Sequence, residues 1–401
     1  MSSSAADPRL ASAGPPRRPL RLSWGDERVR GIVWQVLVVG VVASILWWLW
    51  SNTVHNLEVR RIATGFGFLT REAGLPIGES LIPYEPTDNY LRALTVGVLN
   101  TLKVAIIGIV LATILGTAIG IARLSNNWLL SKLAGVYIEV IRDLPLLLQL
   151  LFWYTILQAL PGPRQAINPM EGVFLSNRGM KLPFIEWTSA HWWTVAAMVA
   201  GIALTWAYGR AMRARQYADG QPRKIWPAGM ALIVGFPLAV WAAFGAPFTP
   251  DIPVLRGFNF RGGITVSPEF FALLIGLVPY TAGFIAEVVR AGIQSVQHGQ
   301  WEAAQALGLQ RGEILRKIVL PQALRVIIPP MTSNYLNLTK NSSLAVAIGY
   351  QDIVSIANTT LNQTGQAIEG IAIIMLVYLT ISLSISLFMN WYNARIALVE
   401  R

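Results

Sequence analysis

The chain has no cysteine and only three histidines, His55, His191 and His298. Without cysteine there is no disulfide framework and no thiolate metal site. The histidines fall in separate stretches that read as solvated loops, and no H-E-x-x-H or other close ligand cluster occurs, so no metal site is expected. Charge is scarce too: 13% of the 401 residues are Asp, Glu, Lys or Arg, against roughly 25% in a soluble domain. None of the lysines Lys103, Lys132, Lys181, Lys224, Lys317 and Lys340 follows a glycine. That excludes G-x-x-x-x-G-K-[ST], the loop whose backbone amides cradle nucleotide phosphates. G-x-S-x-G is also missing, and no helix carries a recognisable nucleophile–base pair. No catalytic residue is assigned, and the chain is not expected to be an enzyme.

What is there is apolar. Hydrophobic residues make up 54% of the chain, and stretches of about 18 or more uncharged apolar residues mark membrane spans. Such stretches lie at 31–50, 104–122, 192–209, 225–245 and 371–394, with shorter ones at 144–162 and 270–286. A last segment, 326–349, is interrupted by Pro329, Pro330 and Lys340. The expected fold is an all-α polytopic membrane protein with about eight transmembrane helices.

Eight spans with both termini inside predict where basic residues collect. The inner segments 1–30, 123–143, 210–224, 287–325 and 393–401 hold 21 Lys and Arg in 114 residues. The outer segments 51–93, 159–191, 246–268 and 350–368 hold 9 in 118. The net charge of +11 therefore reports orientation, and no nucleic-acid partner is needed. Residues 1–30 read as a disordered cytoplasmic tail, 31–50 as a retained anchor without a small-x-small cleavage signal, 51–93 as an extracytoplasmic loop and 393–401 as a cytoplasmic tail.

One inner stretch interrupts this pattern: "GQWEAAQALGLQRGEILRKIVLPQAL", residues 299–324. "WEAAQAL" is built from good helix formers, and Gly308 stands where a left-handed C′ residue is wanted. "RGEILRKIVL" sets Ile314, Leu315, Ile318 and Val319 on one face and charge on the other, and Pro321 is expected to stop it. The pattern suits either a docking element or an amphipathic hairpin lying at the membrane surface.

Glu302, Ala303, Ala304, Gly308, Ile318, Leu320 and Pro321 match E-A-A-x3-G-x9-I-x-L-P. This resembles the coupling loop of permease subunits of binding-protein-dependent ABC importers. "YIEVIRDLPLLLQLLFWY" (137–154), "EVVRAGIQSVQHGQWEAAQALGL" (287–309) and "KNSSLAVAIG" (340–349) resemble the polar amino acid, histidine-permease-like branch, and within it the general L-amino acid uptake systems. The resemblance covers about 95–390. It implies a type I importer permease core (MetI-like) preceded by an extra anchor, with the coupling loop at about 291–325. It also implies an inner-membrane location and the partners of such a system: a cytoplasmic ATPase dimer that binds the ATP, a second permease in a heterodimer, an extracytoplasmic amino-acid-binding protein, an L-amino acid substrate and surrounding lipid. Glu302 would offer its carboxylate to the ATPase, Ala303 and Ala304 would permit close approach, and Gly308 would set the angle between two short helices. Compact members have about five spans; residues 159–268 here are an insert of two further spans and a basic loop, 210–224.

Lys340 draws separate notice. Fifteen helical residues from Arg325 carry it about 22 Å into the span, where a Lys needs a cavity or a partner. Beside Asn341, Ser342 and Ser343 it is expected either to line the translocation path or to serve as a structural cation. The alternative function is an ion-gradient-driven secondary transporter, a class that often carries internal repeats and paired broken helices. No duplication is evident.

Overall fold

The computed structural model describes residues 27–59, 64–221 and 225–396. The parts of the tails at 1–26 and 397–401, and the end of the basic segment at 222–224, lie outside the described residues. The chain divides into two compact units, Met1–Phe66 with Thr364–Gln366, and Gly67–Gln363 with Ala367–Arg401.

The first unit is dominated by α1 (Glu27–Val59), a 33-residue helix. It extends beyond the 31–50 apolar run at both ends, so the first part of the expected 51–93 loop is helical. Over 31–50 its residues are apolar apart from Gln35 and Ser44, with Trp34, Trp47, Trp48 and Trp50 exposed, as suits a helix surrounded by lipid.

The second unit opens with α2 (Tyr90–Arg123), α3 (Trp128–Asp143) and α4 (Leu146–Gln158). Asn89 caps α2 by accepting the Arg92 N–H at 2.9 Å. The inner segment 123–143 is mostly helix, and the expected span at 144–162 is only its shorter partner. The two helices meet at a 99° bend. Pro145 has no N–H with which to continue α3, and the Gln149 amide donates to the carbonyls of Ile141 and Leu144, at 3.1 and 3.0 Å. The thirteen residues of α4 extend only about 20 Å, short of the ~30 Å hydrocarbon core.

The insert contains structure that its apolar pattern does not announce. After α4 come β1 (Ile167–Met170), β2 (Val173–Ser176), β3 (Gly179–Leu182) and β4 (Phe184–Ile185). Then follow α5 (Ser189–Asp219), α6 (Trp226–Met230), a π turn Ala231–Gly235 and α7 (Phe236–Ala243). Last are β5 (Pro250–Asp251), β6 (Val254–Arg256), β7 (Asn259–Arg261) and β8 (Ile264–Val266). All eight strands lie in the two expected outer segments. β3 pairs antiparallel with β8 (Lys181 opposite Thr265) and β4 with β5. Strands that share hydrogen bonds lie on one side of a membrane, so α5 and α6–α7 form an out-and-back hairpin. The expected basic loop 210–224 is helical as far as Asp219.

The core is completed by α8 (Pro268–Gln294), α9 (His298–Ala306), α10 (Arg311–Ile314), a π turn Leu315–Val319, α11 (Leu320–Asn341), α12 (Ile353–Thr364) and α13 (Ala367–Ile396). Leu150, Leu273, Leu277 and Ile285 are fully buried; Leu150 of α4 lies against Gly276 of α8, and Ile285 of α8 against Gly116 of α2. Among the described residues, six helices are long and apolar enough to span a membrane, and the bent α3–α4 pair would make a seventh. The Pro-interrupted α11 is not among them. All three histidines are helical: His55 in α1, His191 in the first turn of α5 and His298 opening α9. The Thr188 N–H donates to His191 Nδ1 at 3.1 Å, which makes His191 part of a helix cap.

The layout makes a labelling prediction. A cysteine at Glu171, in the β1–β2 turn, should react with an impermeant thiol reagent in spheroplasts. Cysteines at Tyr217 and Gln310 should react only after lysis. Labelling of Tyr217→Cys in intact spheroplasts would contradict the out-and-back hairpin.

Candidate functional site

The polar inner stretch folds as a capped helical corner. α9 ends in a Schellman turn: the Gly308 N–H donates to the Gln305 carbonyl (2.9 Å) and the Leu309 N–H to the Ala304 carbonyl (3.2 Å). Gly308 makes this possible with φ = +72°. A Cβ added there would meet nothing within 4 Å, so the demand on this residue is conformational and not one of space. The Gln310 N–H then donates to Glu313 Oε2 at 3.4 Å, and Lys317 Nζ to Glu313 Oε1 at 2.7 Å. The Lys317 hydrogen bond holds the Glu313 carboxyl below its ordinary range.

Pro321 does not stop the second helix. α10, the π turn and α11 run on as one rod from Arg311 to Asn341. The π turn bonds the Leu320 N–H to the Leu315 carbonyl, and the Gln322 side-chain amide reaches the Ile318 carbonyl at 3.1 Å. A proline two residues into the renewed α-helix therefore leaves little unsatisfied.

This corner has an inner and an outer side. Ala304, Ile314 and Val319 are each 1% exposed in the main core, with Trp301, Leu309 and Ile318 packed against it. Outward stand Glu302, Ala303, Gly308 and Leu320, while Pro321 is half-buried. Glu302 Oε1 lies 3.0 Å from His298 Nδ1. Ala304 is thus small for the sake of the chain's own core. Leu307, which the motif does not include, is 80% exposed beside Gly308. Its signal in sequence is a leucine directly before a helix-ending glycine.

Lys340 stands apart from Ser342 and Ser343, whose side chains both lie within reach of the Tyr378 hydroxyl. Lys340 is exposed at the end of α11 and Ser342 is buried, with its Oγ donating to the Thr339 carbonyl at 2.8 Å. The Ser343 Oγ donates to the Lys340 carbonyl at 2.7 Å. Lys340 belongs instead to a stripe. Val326, Pro329, Pro330, Ser333, Asn337 and Lys340 are all exposed, at the spacing of one helix face. This face becomes polar toward its end.

Next to that face lies a cavity of about 570 Å³ lined by Arg142, Phe284, Glu287, Pro329, Ser333 and Asn334. Arg142 is the last basic residue before the α3–α4 bend, and its guanidinium sits 4.8 Å from the Phe284 ring centre. Glu287 accepts both the Arg290 Nε (3.0 Å) and an Arg290 Nη. Sequence reading missed the pair because Arg142 and Glu287 come from different helices.

A second polar centre joins the outer segments. The Asn100 Nδ2 donates to the carbonyls of Glu79 and Gln351, both at 2.9 Å. Glu79 contacts Lys103 and accepts the Ser267 hydroxyl at 2.6 Å. Asp352, fully buried, caps α12 by accepting the Ser355 N–H at 2.8 Å. Burial pushes its carboxyl up to about 7. The folded chain then keeps a proton that the unfolded chain releases near 3.8. The resulting stability is complete below that value and is lost as pH rises through about 7. Melting temperature is expected to fall from pH 5 to pH 8, and Asp352→Asn, which can still cap the helix, should flatten that dependence. An unchanged slope in the variant would rule Asp352 out as its source.

Residues 228–398 match the family model described as the binding-protein-dependent transport system inner membrane component. The chain is 52% identical over 382 residues to the putative amino-acid ABC transporter permease YhdX of Escherichia coli K12, covering 95% of this chain and 97% of that one. It is 50% identical over 378 residues to the general L-amino acid transport system permease AapQ of Rhizobium johnstonii, covering 94% of each. Identity is 41% over 426 aligned positions to the glutamate/glutamine/aspartate/asparagine permease BztB of Rhodobacter capsulatus, covering 97% and 99%. Coverage this complete takes in the 159–268 insert.

Proposed function

The chain belongs to the permease subunits of amino-acid ABC importers, and from that membership we propose that it translocates a broad range of L-amino acids through the cavity beside α11. Family membership makes it a multi-pass inner-membrane protein that works with an ATPase and a substrate-binding protein. The observation that carries the substrate reading is that Arg142 and Glu287, from α3 and α8, line the same cavity. A guanidinium suits an α-carboxylate and a carboxylate suits an α-ammonium. Every amino acid has both, so a site that reads them accepts many side chains.

The exposed stripe of Ser333, Asn337 and Lys340 supports a path along α11 that a second, non-identical permease closes. A polar face of this kind is not left toward lipid. The inner corner serves as the input: Glu302, Ala303, Leu307 and Gly308 face outward to meet a cytoplasmic ATPase dimer, which binds the ATP. The permease itself carries out no hydrolysis, and both termini lie on the cytoplasmic side with the corner.

Reconstitution tests this. Proteoliposomes containing both permeases and the ATPase, supplied with binding protein, should accumulate labelled amino acids only with ATP. Amino acids of differing side-chain charge should compete. Uptake driven by a proton or sodium gradient without ATP would establish the secondary-transporter alternative instead.

A further inference from the structure

The hairpin of α5 and α6–α7 is closed at one level and open at another. A Cβ placed on Gly201 would fall 2.0 Å from the Leu232 carbonyl oxygen, so the helices touch there and only glycine fits. Toward the end of α5 they flank an open groove of about 640 Å³, to which the end of α13 contributes Arg395. Its α5 wall is one stripe: Ile202, Trp206, Arg210, Arg213 and Tyr217, at the i+3 and i+4 steps of a single helix face. The stripe extends about 22 Å and changes character along its length. Ile202 and Ile233 line the apolar end; Arg210, Arg213 and Arg395 line the other.

Two of the three arginines lie against aromatic rings. Arg210 lies 5.7 Å from the Trp206 ring centre and Arg395 lies 4.5 Å from that of Trp391. Among the described residues none of the three has a carboxylate within ion-pair distance. Three guanidiniums from two separate parts of the chain therefore line a groove that is apolar at its far end. The excess of basic residues in 210–224 assigns this end to the cytoplasmic leaflet.

We propose that this groove is a binding site for one anionic phospholipid of the inner leaflet. Arg210, Arg213 and Arg395 hold its phosphate, and an acyl chain follows the Trp206–Ile202 stripe toward the closed crossing. Basic pockets between helices at the cytoplasmic surface match the charge of such headgroups, and guanidiniums bind phosphate with directed pairs of hydrogen bonds. The insert is then a lipid-anchored flank of the transporter. A free phosphate ion would satisfy the arginines but leave the apolar half of the groove without a role.

The test uses the full transporter complex, reconstituted in nanodiscs of equal phosphatidylglycerol and phosphatidylcholine, then moved to detergent. Retained lipid is identified by mass spectrometry. Wild type should keep phosphatidylglycerol in preference to phosphatidylcholine, and 10 mM-scale inorganic phosphate, about ten-thousandfold above a micromolar complex, should not displace it. Each single variant, Arg210→Gln, Arg213→Gln or Arg395→Gln, should lower retention about fivefold, and the matching Arg→Lys variants, which keep the charge but not the paired hydrogen bonds, should fall between these and wild type. Arg256→Gln, on β6, should change nothing. The proposal is overturned if phosphatidylcholine is kept equally, if phosphate displaces the lipid, or if the single variants retain it as wild type does. It is also overturned if those variants instead release the second permease, which would make the arginines a subunit contact.

Discussion

Gly308→Val is expected to abolish ATP-driven uptake while the protein still inserts and assembles with its second permease. At φ = +72° a residue bearing a Cβ is strained by roughly 1–2 kcal/mol, and β-branching at Val makes the left-handed region harder still to occupy. Because a Cβ there meets nothing within 4 Å, the substitution acts on the turn alone. Strain of that size reduces the population of the correct corner by about 5–30-fold. The loss is felt at once by a partner that must seat against Glu302, Leu307 and the turn together. Gly308→Ala should show a weaker loss in the same direction. Glu302→Lys should match the valine variant by a different route, reversing the charge offered without moving the backbone. Uptake at the wild-type rate in both Gly308→Val and Glu302→Lys would remove the corner from the coupling mechanism.

That corner was legible because its signals are local. Helix formers, a glycine at the C′ position and an apolar face at helical spacing all fall within 299–324. The long spans were legible for the same reason. Reading failed where a local rule was overruled nearby or where the partner lies far off in sequence. Pro321 looks like a stop, yet a π turn just before it lets the rod continue. Pro145, at the start of the expected 144–162 run, separates the helix of the inner segment from that of the run at a 99° bend. The eight strands are two to four residues long, too short for alternation to register, although Gly172 and Gly179, both at positive φ, mark their turns. Asn100 and Gln351, or Arg142 and Glu287, are unremarkable until the fold brings them together.

The path assignment rests on such a distant pair, so its decisive experiment must separate Glu287 as a substrate contact from Glu287 as a partner of Arg290. Glu287→Gln is expected to lower uptake by at least about tenfold, which corresponds to losing roughly 1.4 kcal/mol of transition-state stabilisation. A structural explanation predicts a loss as well, because Arg290 would lose its carboxylate partner. The double variant Glu287→Gln/Arg290→Gln decides between them. If Glu287 serves only Arg290, removing both charges restores uptake; if it holds the α-ammonium, uptake stays low with assembly intact. Arg142→Met should resemble the double variant, losing uptake while the complex keeps its basal ATP hydrolysis, since Arg142 lies over the Phe284 ring and, among the described residues, has no carboxylate within ion-pair distance. Lys340→Met extends the same logic toward the outer end of α11. A cation that attracts the substrate carboxylate along the exposed stripe is needed for transport but not for assembly or basal ATP hydrolysis. Normal uptake in Lys340→Met together with lost uptake in Arg142→Met would confine substrate recognition to the cavity, whereas restored uptake in the Glu287/Arg290 double variant would remove Glu287 from it.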